Sequence, residues 1–208
     1  MNKLILNFKS KDSKKIKNPK NFLGGKGANL SEMGRMGLPV PPGFTISTKV
    51  CEIFYKDKKK LNKNLISQIK KELKLIEKDV SKKFGDLKNP LLLSVRSGAR
   101  VSMPGMMDTI LNLGLNDKTV KALAIKTSNG RFAKDSYRRF IQMYGNVVMG
   151  VEGYHFEELI ENYKLTKGVL LDTDLDEHDW DGLIVDFKRT VKEKAKKDFP
   201  QDVYQQLL

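Results

Sequence analysis

The hydrophobic pattern of the chain changes near residue 115, and this change constrains the fold more than any other feature of the sequence. Before it, short strand-like runs alternate with turns rich in glycine and proline. After it, four segments carry helical periodicity, at about 118–126, 130–149, 153–163 and 179–197. The pattern predicts an α+β fold, with an α/β part over residues 1–114, a helical part over 115–200 and the start of a return to the α/β part over 201–208.

The first part predicts a small set of strands and helices. The run LLLSVRS is continuous and apolar enough for a buried central strand, and shorter strands are predicted within residues 1–10 and at 44–46. Helices are predicted from the GGKG segment to Gly37, over about Thr48–Tyr55 and over about Asn62–Phe84. In the second part, Asp117, Asn129 or Asp135 are candidate helix caps, and Thr173 or Asp174 is the predicted start of the last long helix.

A net charge of +14 on 208 residues is compatible with three classes of partner, namely nucleic acid, an anionic membrane and a polyphosphate ligand. Lysine supplies most of this charge, aromatic residues make up only 8% of the chain, and no stacking or recognition-helix motif is evident. We therefore expect lysines scattered over solvated helix faces, with no nucleic-acid partner and no membrane partner. Retention on heparin or DNA with a steep salt dependence would revive the nucleic-acid interpretation.

Cysteine content and the N-terminus indicate a soluble cytoplasmic protein. Cys51 is the single cysteine, which excludes a disulfide framework and fits a reducing compartment. The short apolar patch near residue 5 is too brief for a signal peptide, and no run approaches the ~18 apolar residues of a membrane span. Because Val50 and Ile53 are apolar, Cys51 is predicted to be a buried thiol rather than a nucleophile.

The segment GGKG is the first candidate for ligand chemistry. Gly24, Gly25 and Gly27 allow the backbone to approach an anion closely, and the helix that follows favours negative charge at its N-terminus. Lys26 adds a mobile positive charge suited to phosphoryl oxygens. The spacing of a Walker A loop is absent, and a flexible surface turn is the alternative interpretation.

Two arginines at the end of LLLSVRS form the second candidate. A guanidinium buried at the end of a central strand needs an anion, either a ligand phosphate or a carboxylate of the protein itself. Arg96 and Arg100 are therefore predicted to bind a phosphate, and an internal ion pair is the alternative for each. Ligands of open α/β folds also collect at strand ends.

The remaining chemistry-bearing residues give weaker signals. The loop SGARVSMPGMMDT carries Met103, Met106 and Met107 without regular spacing, as the wall of a site or as adaptable core filling. Asp108 could orient an arginine. His155 and His178 lie far apart without the spacing of zinc ligands, so both are predicted to be structural.

Two long segments together resemble the N-terminal part of the pyruvate, phosphate dikinase family. They are LGGKGANLSEMGRMGLPVPPGFTIST and NPLLLSVRSGARVSMPGMMDTILNLGLND, and RFAKDSYRRFIQMYGNVVMGV and FPQDVYQQL are similar to the same family. The resemblance covers residues from about 3 to 208. The loop SGARVSMPGMMDT separates this family from the related phosphoenolpyruvate synthases.

The resemblance implies a partial ATP-grasp domain and a set of phosphate-binding residues. In this family Lys26 and Arg96 would contact ATP phosphates, with Arg96 the candidate catalytic residue. Arg100 and the glycines Gly24, Gly25 and Gly27 would complete the nucleotide site. The implied reaction interconverts ATP, phosphate and pyruvate with AMP, pyrophosphate and phosphoenolpyruvate through a phosphohistidine, using Mg²⁺.

The resemblance also implies that parts of the enzyme lie outside this sequence. The magnesium-binding carboxylates, the phosphohistidine domain and the pyruvate-binding barrel have no match here, so the predicted partners are the nucleotide, inorganic phosphate and those remaining domains. We expect the isolated chain to bind nucleotide weakly and not to turn over ATP. A stand-alone nucleotide-binding or regulatory module is the alternative function.

Overall fold

The computed structural model describes residues 3–98 and 109–208 and confirms the α+β class. The chain forms two compact units, one of residues 1–81 and 96–108 and one of residues 82–95 and 109–208. The domain boundaries at 114 and 200 stay predictions. The mixture of helices and small two-stranded sheets is consistent with a partial ATP-grasp domain.

The first unit contains three helices and one antiparallel pair of strands. Strand β1 (Ile5–Asn7) pairs with β2 (Phe44–Ile46), so that Leu6 lies opposite Thr45. Helices α1 (Pro19–Arg35), α2 (Lys49–Lys56) and α3 (Lys63–Val80) follow the order predicted from the sequence. The apolar stripe of α3 is buried as its spacing predicts, at Leu65, Ile69, Leu73 and Ile76. This helix ends earlier than predicted because Ser81 adopts a left-handed conformation, with φ of 52°.

The second unit is a helical cluster with short strands at one side. Its helices are α4 (Thr119–Thr127), α5 (Gly130–Val147), α6 (Tyr154–Lys167), α7 (Glu177–Ala195) and α8 (Val203–Leu207). Helix α5 is central, since it packs against α4 and α7. The buried aromatic rings of Phe140 and Phe199 meet edge to face at 5.6 Å, and those of Phe156 and Phe187 lie 4.8 Å apart.

The prediction of a buried central strand in LLLSVRS is wrong. The run divides at Leu92 into β4 (Pro90–Leu91), which pairs in parallel with β3 (Lys83–Phe84), and β5 (Leu93–Arg96), which pairs with β6 (Thr109–Leu113). Leu91 is buried, but Ser94, Val95 and Arg96 are exposed. In the part of the chain that the structure describes, β5 has one partner strand, so its other edge pairs with no strand.

The predicted start of the last long helix is corrected, and one predicted helix cap is confirmed. The last long helix begins at Glu177, because the side chain of Asp176 accepts hydrogen bonds from the backbone of His178 and Asp179, at 2.8 and 3.1 Å. Thr173 and Asp174 belong instead to a preceding 3₁₀ turn. Asn129, by contrast, is confirmed as the cap of α5, where its side chain accepts from the backbone of Phe132.

The cap of α7 yields a testable pH dependence. The Lys167 ammonium, 2.7 Å from Asp176, and the backbone N–H groups lower the pKa of Asp176 from 3.8 to about 2. The stability that this ionised carboxylate contributes is therefore present above pH 3.8 and is lost as the pH falls through about 2. In Lys167→Met we expect the pKa of Asp176 to move towards 3.8 in a carboxyl NMR titration. An unchanged pKa would contradict this cause.

Candidate functional site

The GGKG segment lies at a break inside α1. The side chain of Asn18 accepts a hydrogen bond from the backbone of Asn21 and starts the helix at Pro19, ahead of the GGKG segment at which the sequence predicted its start. At Gly24 the backbone leaves the helical region, with φ of 72° and ψ of 165°. The chain then resumes as a helix from Gly25 to Arg35. The prediction of a glycine-rich turn before a helix is confirmed, with a short helical segment in front of it.

Thr48 donates hydrogen bonds to the last carbonyl oxygens of the helical segment that precedes the break. Its hydroxyl donates to the carbonyl oxygen of Asn21 at 2.7 Å, and its backbone N–H donates to the carbonyl oxygen of Phe22 at 2.9 Å. In a continuous helix those carbonyls would accept from the N–H groups of Gly25 and Lys26. The break therefore places Gly25 and Lys26 at the start of the second segment, and Thr48 takes the place of their N–H groups at these two carbonyl oxygens.

Removing the Thr48 hydroxyl should loosen this break. We expect Thr48→Val to lower the free energy of unfolding by about 1 kcal/mol, because the carbonyl of Asn21 loses a hydrogen bond. Amide hydrogen exchange should become faster at Gly25, Lys26 and Gly27. Thr48→Ser keeps the hydroxyl and is the control. Equal exchange rates in the valine and serine variants would argue against this role.

Gly24 brings the turn against the chain that follows strand β5. A Cβ atom placed on Gly24 would lie 2.9 Å from both the carbonyl carbon and the carbonyl oxygen of Gly98. Such a distance is too short for any side chain, so the two backbones can approach only because Gly24 has none. Lys26 follows this contact by two residues and Arg96 precedes it by two residues. The structure thus joins the two segments that the sequence identified separately.

Gly27 has a packing role within the same helix. A Cβ atom there would lie 2.8 Å from the side chain of Thr45 on β2, and one at Gly34, two turns later, would lie 2.7 Å from the carbonyl oxygen of Phe8. These glycines let the second segment of α1 lie directly on the paired strands β1 and β2. The strand pair therefore fixes the direction in which the first turn of that segment points.

Lys26 and Arg96 are both accessible, and neither has an acidic partner among the residues that the structure describes. Lys26 is half-buried and Arg96 is exposed, and within residues 3–98 and 109–208 no carboxylate lies within 4 Å of either. The prediction that the Arg96 guanidinium is buried is therefore wrong, and its assignment as an anion-binding residue had depended on that burial. Among the described residues, the strand that carries Arg96 pairs with one neighbouring strand only. The two side chains keep their positive charge available for an external anion. Arg100, the three methionines and Asp108 lie outside the described residues.

The other chemistry-bearing residues do not form a site with these. Cys51 is exposed, contrary to prediction, because only Val50 on that helix turns fully into the core. The ring of His155 lies against that of Tyr154 at 4.0 Å, and His178 is exposed at the start of α7. Over the described ranges, no three His, Cys, Asp or Glu side chains are grouped so as to hold a metal ion.

No helix among residues 3–98 and 109–208 is long and apolar enough to cross a membrane.

Comparison with known proteins agrees with the predicted resemblance. Residues 20–74, which include GGKG, Thr48 and most of α3, match the family model described as pyruvate phosphate dikinase, AMP/ATP-binding domain. The chain is 52% identical over 188 residues to the pyruvate, phosphate dikinase of Entamoeba histolytica, an alignment that covers 90% of the chain and 21% of the relative. It is 52% identical over 190 residues to that of Clostridium symbiosum, covering 91% of the chain and 22% of the relative.

A plant relative extends the match to nearly the whole chain. The chloroplastic pyruvate, phosphate dikinase of Flaveria pringlei is 51% identical over 205 residues, which covers 99% of the chain and 21% of the relative. The chain thus spans about a fifth of the length of the curated relatives it matches. It is therefore similar, over 90 to 99% of its length, to the N-terminal region of pyruvate, phosphate dikinases, and the resemblance predicted from its motifs is confirmed.

Proposed function

We propose that this chain binds the phosphates of ATP at the Gly24–Gly27 turn, as part of a partial ATP-grasp domain. The observation that carries the proposal is the backbone contact between Gly24 and Gly98, which brings the glycine turn to the end of the strand that carries Arg96. The match of residues 20–74 to an AMP/ATP-binding family model supports a nucleotide as the ligand.

The residues of the turn have complementary roles toward a phosphate. The backbone N–H groups at the start of the second α1 segment would donate hydrogen bonds to phosphoryl oxygens, and the helix dipole favours the negative charge. Lys26 supplies a mobile ammonium, and Arg96 supplies a planar guanidinium that can bind two oxygens at once. In phosphoryl transfer such cations stabilise the charge that develops on the transferring group, so Arg96 is the candidate catalytic residue.

The larger reaction is proposed for the longer protein of which this region is a part. There, ATP, phosphate and pyruvate would be interconverted with AMP, pyrophosphate and phosphoenolpyruvate through a phosphohistidine and with Mg²⁺. The chain itself would contribute phosphate binding, and the remaining domains would be its partners.

With ATP, phosphate and Mg²⁺ present, we expect the isolated chain to phosphorylate no acceptor, and measurable phosphorylation would contradict that expectation.

The affinity of the chain for ATP tests the assignment of the two cations. Each loses a charge-assisted hydrogen bond when replaced by alanine, which weakens binding by about 1.5–3 kcal/mol, or roughly 10- to 150-fold in Kd. We expect this loss for Lys26→Ala and for Arg96→Ala in a calorimetric or NMR titration, with the free energy of unfolding unchanged. Lys17→Ala removes an exposed lysine of the same unit and should leave the Kd unchanged. If Arg96→Ala lowered stability while the ATP titration stayed the same, an internal ion pair would be the correct interpretation.

A further inference from the structure

The positive charge of the chain is concentrated in its first 81 residues. They contain 19 Lys and Arg against 7 Asp and Glu, a net charge of +12, whereas residues 82–208 contain 20 against 18. Nearly all of the overall charge of +14 therefore lies in one of the two units. This concentration differs from the scattered lysines that the composition predicted, and it produces a strong local potential.

The densest part of this charge is an exposed ridge at the turn between α2 and α3. We define the basic ridge as the exposed residues Lys56, Lys58, Lys59, Lys60 and Lys63. Among the residues that the structure describes, no carboxylate lies within 4 Å of any of these ammonium groups. Asp57 is the one acidic residue within the ridge, and it is also exposed. The ridge therefore presents uncompensated charge to solvent.

The backbone of the ridge is held in a defined turn. The N–H of Asp57 donates to the carbonyl oxygen of Ile53, and the N–H of Lys59 donates to that of Phe54, both at 2.8 Å. Lys58 and Lys59 have φ of 54° and 60°, a left-handed conformation that is unfavourable for residues with a side chain. The hydrogen bonds thus stabilise a turn that projects consecutive lysines outward.

Helix α3 extends the ridge into a line. Lys63, Lys74 and Lys78 are exposed and lie on the face opposite its buried apolar stripe. From residue 63 to residue 78 the line is about 22 Å long at the rise of an α-helix. A row of this length matches an elongated anion with several charges better than a compact one.

An aromatic ring stands at the start of the ridge. The ring of Tyr55 contacts that of Phe54 edge to face, with 5.9 Å between the ring centres. Tyr55 is 64% exposed, so its ring lies beside the lysines and is open to solvent. Lysines that follow a phosphate backbone, with an aromatic ring on which a base can stack, are the features that bind single-stranded nucleic acid. A membrane-bound helix would need an apolar face turned outward, whereas the apolar face of α3 is buried.

We propose that the basic ridge, with Tyr55 and the lysine row of α3, binds single-stranded nucleic acid. This binding is distinct from the proposed ATP site, since it uses none of the residues of the glycine turn. Phosphates of the strand would pair with the lysine ammonium groups, and a base would stack on the ring of Tyr55. The expectation of no nucleic-acid partner stays a prediction, and this proposal departs from it.

Fluorescence anisotropy of a labelled oligouridylate of about 15 nucleotides tests it on the full chain. The triple substitution Lys58→Glu, Lys59→Glu and Lys60→Glu should weaken binding at least about tenfold. It should also reduce the slope of log affinity against log salt by about 2, since each phosphate contact on a single strand contributes roughly 0.7. Tyr55→Ala should weaken binding by about fivefold or more, because a stacked base is lost.

Matched variants separate this surface from a general effect of charge. Lys194→Glu, Lys196→Glu and Lys197→Glu make the same charge change at three exposed lysines of the other unit and should alter the affinity by less than about twofold. Arginine at positions 58, 59 and 60 should retain binding, and far-ultraviolet circular dichroism should match the parent chain for every variant. The proposal is overturned if the two glutamate triples weaken binding equally, or if ATP displaces the oligonucleotide at constant ionic strength. It is likewise overturned if the chain binds phosphatidylserine vesicles but no oligonucleotide.

Discussion

Replacing Gly24 by alanine is expected to lower the free energy of unfolding of the first unit by about 2–4 kcal/mol and to abolish measurable ATP binding. The backbone of Gly24, with φ of 72° and ψ of 165°, lies in a region that residues with a side chain almost never adopt. The added methyl group would also lie 2.9 Å from the backbone of Gly98, which cannot move aside as the end of a flexible side chain could. Relief of this clash requires the glycine turn and the chain at Gly98 to separate.

Gly37 provides a matched control for the steric part of this effect. Its φ of 79° is also positive, but no atom lies within 4 Å of the position that a Cβ would occupy. Gly37→Ala should therefore cost only about 1 kcal/mol, the backbone penalty alone, and leave ATP binding intact. Urea unfolding and ATP titration of both variants measure the difference. Equal losses of stability in the two variants would show that the approach of Gly24 to Gly98 is not a constraint on the fold.

Replacing Trp180 by alanine should lower the free energy of unfolding of the second unit by about 3–5 kcal/mol. Trp180 is fully buried on α7, and the guanidinium of Arg138 lies 4.7 Å from the centre of its ring. Burial lowers the pKa of Arg138, although Asp135 at 2.5 Å opposes the shift. Without the indole ring, a cavity opens beside this buried charge, and the charge loses its cation–π partner.

Val185 on the same helix serves as the comparison for Trp180. It is 54% exposed, so Val185→Ala should change the free energy of unfolding by less than about 0.5 kcal/mol. Amide hydrogen exchange in α5 and α7 reports on this unit without the tryptophan fluorescence that the substitution removes. If amide protection in α5 and α7 fell equally in Trp180→Ala and Val185→Ala, or fell in neither, Trp180 would not have a central position in the core.

The helices of this chain could be predicted from sequence because their apolar residues repeat at the helical period. The buried positions Leu65, Ile69, Leu73 and Ile76 follow directly from that spacing. Burial of single residues was less predictable, since apolar sequence neighbours do not decide on which side of a helix a residue lies. Cys51 follows the buried Val50 but points to solvent, and Val95 is 39% exposed on a strand whose apolar run predicted a fully covered position.

The candidate site was predictable in its components but not in its assembly. The glycines, Lys26 and Arg96 follow from the chemistry of phosphate binding. The contact of Gly24 with Gly98 joins residues 74 positions apart, and no local pattern reports such a distance. Nothing in the sequence indicated that Thr48 contacts the glycine turn, because a threonine next to a helix start is usually assigned to the cap of that helix. Here its hydroxyl bonds the end of a different helical segment.

Backbone amide NMR of the chain, during titration with ATP and separately with inorganic triphosphate, tests whether the turn at Gly24–Gly27 binds the phosphates of ATP. We expect both ligands to shift the amide signals of Gly25, Lys26, Gly27 and Gly98, and Lys26→Ala to reduce these shifts at equal ligand concentration. If these amide signals remained unchanged while ATP bound elsewhere on the chain, the assignment of the site would be wrong.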